Sequence, residues 1–176
     1  MRKLLVLIVS GLALAFAGPA FASTVTGTDA AETLNGTSSS DVINALGGDD
    51  TVYGGAGGDV AKGGDGDDFL YGGRGDDRLT GGDGSDRLWG QRGNDKLDDA
   101  HGSLVDQLKG GGGDDVIFAN FRDVVFGGSG NDKIVVAFPG ATTVNCGRGV
   151  DSVTFNEPHP HVLLVGCEHV RIVSAG

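Results

Sequence analysis

Six carboxylates, those of Asp50, Asp59, Asp68, Asp77, Asp86 and Asp95, stand on one unbroken nine-residue period. Carboxylate oxygens are hard donors, and negative charges stacked at equal spacing repel one another unless a cation lies between them. Four of the six close a six-residue phrase, G-G-x-G-x-D, at 54–59, 63–68, 72–77 and 81–86. The phrase returns at 110–115 and 127–132, and a near-match at 90–95 carries Gln91 in second place. Glycine at the first, second and fourth places lets the backbone enter positive φ at little steric cost. Turns of that kind can aim several carbonyl oxygens inward, beside the carboxylate. Carbonyls and carboxylates together suit a hard cation such as Ca²⁺, which takes six to eight oxygens in flexible geometry. One nonapeptide supplies too few, so neighbouring turns must share each ion.

The remainder of each unit has to hold those turns in place. After the aspartate come a variable residue, an apolar residue in the eighth place and another variable residue, which reads as a very short strand. The eighth place holds Leu34, Ile43, Val52, Leu70, Leu79, Leu88, Leu97, Leu108, Ile117 and Ile134, with Ala61 its weakest member. One apolar residue in nine cannot bury itself alone. Stacked coils would align these residues into a continuous thin core.

The tandem units at 54–62, 63–71, 72–80 and 81–89 resemble the RTX, or hemolysin-type calcium-binding, nonapeptide repeat. The resemblance implies an all-β chain, a parallel β-roll (a β-helix or solenoid) with two repeats per coil and Ca²⁺ between successive turns. It also implies the ligands. Side-chain ligands would be Asp50, Asp59, Asp68, Asp77, Asp86, Asp95, Asp115 and Asp132. The carbonyls of Gly55, Gly57, Gly64, Gly66, Gly73, Gly75, Gly82 and Gly84 would complete the shells.

The pattern weakens at both ends. Units 27–35 and 36–44 keep the phase and the apolar eighth place but lack the glycine doublet, and Glu32 replaces aspartate in the first. They read as an N-terminal cap coil with weak or no calcium, since solenoid ends are commonly atypical. After Asp98 comes an eleven-residue unit, 99–109, with Asp106 and Leu108 back in register, and unit 119–126 is one residue short. These slips are expected to be loops on one face, or turns that cannot share an ion. The β-roll is therefore expected over 23–135, and 136–176 as a degenerate coil and a closing cap.

Residues 1–22 read as a signal peptide: Arg2 and Lys3, an apolar stretch from Leu4 to Ala17, and Ala20-Phe21-Ala22 as an A-x-A cleavage site. Cleavage before Ser23 would take the net charge from −11 to −13. That acidity argues against nucleic acid and anionic membrane surfaces as partners. No second apolar stretch is long enough to span a bilayer. Self-repulsion among the aspartates should keep the metal-free chain expanded, so that ion binding becomes folding energy. Cys146 and Cys167 form an even pair in a chain expected to mature outside the cell, which reads as a disulfide closing the cap. The rival reading is a metal cluster of the two cysteines with His159, His161 and His169. The combination of a signal peptide, nonapeptides and a C-G-x-G…C-E-x-V ending, from Cys146 and Cys167, also resembles small secreted calcium-binding proteins of actinobacterial type.

An enzyme is not expected. There is no H-E-x-x-H and no G-x-S-x-G, the Ser129 turn lies inside a repeat, and paired acids such as Asp67-Asp68 recur as part of the period. Tyr53, Tyr71 and Trp89 are eighteen residues apart, one full coil each, and should line one face. That face is either a rigidifying ladder or a strip for a cell-surface or polysaccharide partner. The sequence thus points to a secreted β-roll that binds several Ca²⁺ ions, with an extracellular adhesin or matrix component as the alternative.

Overall fold

The residues around the eighth place are extended, so their side chains alternate between the two faces of a strand. In Arg78–Asp83, Arg78 and Thr80 face out while Leu79 and Gly81 are buried. The chain then turns through Gly84 and Ser85 and re-enters as Arg87–Arg92 on the opposite side. Repetition of this step winds the roll. A computed structural model describes residues 6–8, 21–99, 104–120, 122–137, 142–156 and 162–173. Among these residues, ten strands form one sheet, from Val6–Ile8 to His169–Ile172. Eight form the facing sheet, from Thr33–Asn35 to Leu163–Val165. Every pairing is parallel. No described residue is helical. The expected all-β parallel roll is the fold observed.

Register follows the apolar period. Leu70 pairs with Leu88 in one sheet and Leu79 with Leu97 in the other. Eighth-place residues from Leu34 to Ile134 are all buried, none more than 2 % exposed. The first place also faces inward, two residues along the same strand face. Ala45, Ala119, Val136, Cys146 and Phe155 occupy it and join the core. The interior therefore draws on two residues per unit, where the sequence pattern suggested one.

The phase slips are absorbed in turns. The unit with two extra residues still places Leu108 opposite Leu88, and the short unit still places Val125 opposite Leu108. Beyond Val136 the roll continues, with Thr143–Arg148 and Leu163–Val165 in one sheet and Ser152–Phe155 and His169–Ile172 in the other. Of the segment read as a leader, Val6–Ile8 runs parallel to Thr24–Thr26 at the end of the larger sheet. Phe21 and Ala22 are described, and the rest of the leader lies outside the described residues.

Candidate metal centre

Each sixth-place aspartate sits where a turn enters a strand, one coil above its equivalent. Its Oδ1 accepts a hydrogen bond from the backbone N–H of the acid one coil earlier. Asp59 N–H donates to Asp77 at 2.7 Å and Asp77 N–H to Asp95 at 2.9 Å. On the other edge Asp50 N–H donates to Asp68 and Asp68 N–H to Asp86, each at 2.8 Å. Two acid ladders result, one along each edge of the roll. The first runs from Ser23 through Asp41 and on to Asp132 and Asp151, ending on Glu168. The second runs from Glu32 through Asp50 to Asp106 and Asp123.

The second oxygen of these carboxylates is the chemically active feature. Oδ2 of Asp50, Asp59, Asp68, Asp77, Asp86, Asp95, Asp115 and Asp132 is buried and has no hydrogen-bond partner. A buried charge left unsatisfied costs several kcal/mol, at least ~3. Such an atom either takes a proton or meets a cation. Burial, offset in part by the amide bond and reinforced by neighbouring acids, lifts the carboxyls of Asp68, Asp77 and Asp115 to about 7. The same causes, led by burial, lift Asp59, Asp86, Asp95 and Asp132 to about 6. Asp50 is raised as well, again chiefly by burial. The donor set, stacked and buried hard oxygens without hydrogen-bond partners, fits a hard cation.

Glycine makes the arrangement sterically feasible in two ways. The orphaned oxygen points back at the first glycine of its own unit, so a Cβ on Gly63 would collide with Asp68 Oδ2 and the carbonyl of Gly81. That first-place glycine does not have positive φ, contrary to the sequence-based expectation. It is needed for room, not for backbone freedom. The second and fourth places do adopt positive φ, as at Gly64 (122°) and Gly66 (126°). The carbonyls of Gly64 and Gly66 lie along the stack against Gly82 and Gly84 of the next coil, and those of Gly55 and Gly57 lie against Gly73 and Gly75. The eight glycines singled out from the sequence thus share the turns that carry the aspartates.

The N-terminal units solve the same problem without an orphan. Thr37 donates both its N–H (2.5 Å) and its hydroxyl (2.9 Å) to Asp41 Oδ2. Thr28 donates its N–H to Glu32 Oε2 (2.8 Å) and its hydroxyl to Glu32 Oε1 (3.0 Å). Fifth-place residues form an exposed ladder of opposite polarity, in which Ser85 N–H donates to Asp67 and Asn94 N–H to Asp76. The recurrent acid pairs are therefore one inward and one outward acid, each in its own ladder.

Sequence reasoning left out five ladder acids or neighbours: Asp41, Asp99, Asp106, Asp123 and Asp151, all buried. Four of them stand two places before an inward apolar residue, a signal that would have found them without any glycine. Asp99 has no such mark. At the C-terminal end Cys146 and Cys167 are joined by a disulfide, with Cα atoms 5.2 Å apart. The bond consumes both thiols and so removes the alternative thiolate–histidine metal cluster. His169 lies exposed on its strand, and His159 and His161 fall outside the described residues.

The aromatic column forms as expected, but it is not flat throughout. Tyr53 and Tyr71 stack at 4.9 Å with planes 9° apart, whereas Trp89 meets Tyr71 edge-on at 5.0 Å and 85°. Edge-to-face packing is a favoured aromatic geometry, and it turns the indole out of the common plane. Among the described residues no helix is long and apolar enough to cross a membrane.

A family model described as RTX calcium-binding nonapeptide repeat, in 4 copies, matches residues 26–61, 62–97 and 102–134. No curated protein matches the chain.

Proposed function

The chain belongs to the RTX calcium-binding nonapeptide repeat family, and from that premise we propose that it is a secreted roll that takes up several Ca²⁺ ions and folds on them. Repeats of this family are typical of extracellular proteins and form a structural calcium-binding unit. The observation that carries the reading is the row of buried, partnerless Oδ2 atoms at one carboxylate per turn. In the proposed assignment the aspartates from Asp50 to Asp95, with Asp115 and Asp132, are side-chain ligands. The second- and fourth-place glycine carbonyls from Gly55 to Gly84 share the same ions. Bound calcium supplies the missing positive charge, and the protein supplies rigid spacing through the two ladders. The family's calcium chemistry and the Cys146–Cys167 disulfide both suit an extracellular setting, where calcium is plentiful and thiols oxidise.

The test is far-UV circular dichroism of the chain during a Ca²⁺ titration, with Mg²⁺ as control. A cooperative gain of β signal with Ca²⁺ alone, reversed by chelator, is the expected result. A full β signal already present in chelator at neutral pH would remove calcium-driven folding from the proposal.

A second reading, an extracellular adhesin or matrix component, has one observation in its favour. Trp89 Nε1 is buried without a hydrogen-bond partner, beside a surface groove lined by Gln91 and Lys109 and next to the Tyr53–Tyr71 stack. Replacing Tyr53, Tyr71 and Trp89 together by Ala should abolish attachment to a polysaccharide surface while leaving calcium uptake intact. Unchanged attachment would dismiss it.

A further inference from the structure

The first place of a unit faces the sixth-place aspartate across the inside of a turn. From Gly27 to Phe155, among the described residues, every first place is glycine or apolar except one, Asp99. Two extra residues follow Asp99 in the sequence before its own sixth-place partner, Asp106, and Asp99 is the one described first place that puts a carboxylate where other units put glycine or an apolar side chain. Asp99 Oδ1 accepts from the Gly82 N–H at 3.4 Å. A Cβ on Gly81 would meet both Asp86 Oδ2 and Asp99 Oδ1, so two carboxylates crowd over a residue that has no side chain. Asp86, Asp99 and Asp106 each offer an oxygen within 4.8 Å of the others. They are 1 %, 3 % and 1 % exposed. Oδ2 of each lacks a hydrogen-bond partner.

We propose that Asp86, Asp99 and Asp106 form a three-carboxylate cation site at the interruption of the repeat, different in composition from the turns on either side. Oxygens bound to one Ca²⁺ at 2.3–2.6 Å stand no more than about 5 Å apart, so a single ion can touch all three carboxylates. An ordinary turn presents one side-chain carboxylate from its own unit, whereas this one presents two from its own unit and a third from the coil before. Three negative charges exceed what one divalent ion neutralises, so the site should rank a trivalent lanthanide above Ca²⁺ and hold Ca²⁺ more tightly than the repeat turns. The rival arrangement is a carboxyl–carboxylate pair of Asp99 and Asp106 sharing a proton with no ion. Burial, followed by the charges of Asp106 and Asp86, lifts the Asp99 carboxyl to about 9, which is how these groups would stand without a cation.

This inference rests on the calcium reading, and the experiment separates the two. Bound Ca²⁺ is counted by equilibrium dialysis of the full chain, and Tb³⁺ affinity is read by luminescence, for wild type, Asp99→Asn and Asp99→Gly. Both variants should bind one ion fewer, and the tightest class of Tb³⁺ sites should weaken at least tenfold. Asp99→Gly restores the residue that other units carry, so it keeps the comparison valid if the asparagine variant folds poorly. Unchanged ion number and Tb³⁺ affinity in Asp99→Gly would overturn the site. So would a variant that gains β signal in chelator with no change in ion count, which marks a shared proton. Failure of the wild type to take up any Ca²⁺ would instead sink the calcium reading itself.

Discussion

The coil at 27–44 and the coils at 54–98 share the same two acid ladders, yet they dispose of the second carboxylate oxygen in opposite ways. Thr37 closes it at Asp41 with an amide and a hydroxyl. At Asp68 a glycine doublet leaves it open and buried. The end coil is complete without an ion; the central coils are complete only with one. The self-sufficient turn carries threonine in the second place and no positive φ, where the receptive turns of 54–86 carry glycine at positive φ in the second and fourth places.

The largest effect should come from withdrawing calcium, which the central coils need and the end coil does not. Carboxyls free in the unfolded chain ionise near 4, while those of the folded ladders ionise near 6 to 7. Raised values in the folded state mean that the metal-free roll is most favoured below about pH 4 and loses that advantage as pH rises through 7. In chelator, circular dichroism should therefore show more β structure at pH 4 than at pH 8. Addition of Ca²⁺ should erase the difference. Equal signal at both pH values in chelator would break the contrast between the two regions.

Next in size is Gly66→Ala. The residue has φ of 126°, and a Cβ would run into the carbonyl of Gly48. Strain and overpacking together should cost about 4 kcal/mol of the calcium-loaded stability, read from thermal or denaturant unfolding. Ser39, the fourth-place residue of the end coil, does not have positive φ, so Ser39→Ala should cost far less. Thr37→Ala should then lower stability by about 1.5 kcal/mol through loss of a hydroxyl bond to a carboxylate. Because this loss occurs where no ion compensates, it should be the same at low and high calcium, and a calcium-dependent loss would mean that the end coil is receptive too. The smallest change should be a gain. Gln91 holds φ of 82° in the second place, where other repeats carry glycine. Gln91→Gly should stabilise the loaded roll by about 1 kcal/mol, and a loss would show that the side chain contributes something worth more than its strain.

Much of this was legible in advance because two periods coincide. The nine-residue spacing of Leu70, Leu79 and Leu88 fixes the coil, and the same spacing of Asp68, Asp77 and Asp86 fixes the ladders. Legibility ended where the cause lay between coils. That each aspartate accepts from the amide of the coil before it is a matter of stacking, which no local motif records. The role of the first-place glycine was misread for the same reason: its constraint is the aspartate facing it, not its own torsion. Asp123 was hidden by a missing residue, although the inward Val125 marks it, and Asp106 was seen in register beside Leu108 but left out of the ligand set because of the two extra residues before it. Asp99 keeps the nine-residue step but in the first place, not the sixth, and only the fold reveals that its side chain enters the row.

Both acid ladders point one way, since each coil donates an amide forward and receives one from behind. A stack with direction has two unlike ends, and unlike ends can join head to tail without limit, which is the geometry of a fibre. At the N-terminal end the amide and hydroxyl of Ser23 already occupy Asp41. At the far end Glu168 supplies the last acceptor, but Leu163, Val165, Val170 and Ile172 remain exposed. The two ends are thus closed to different degrees, and the one with exposed apolar side chains is the one that carries the disulfide.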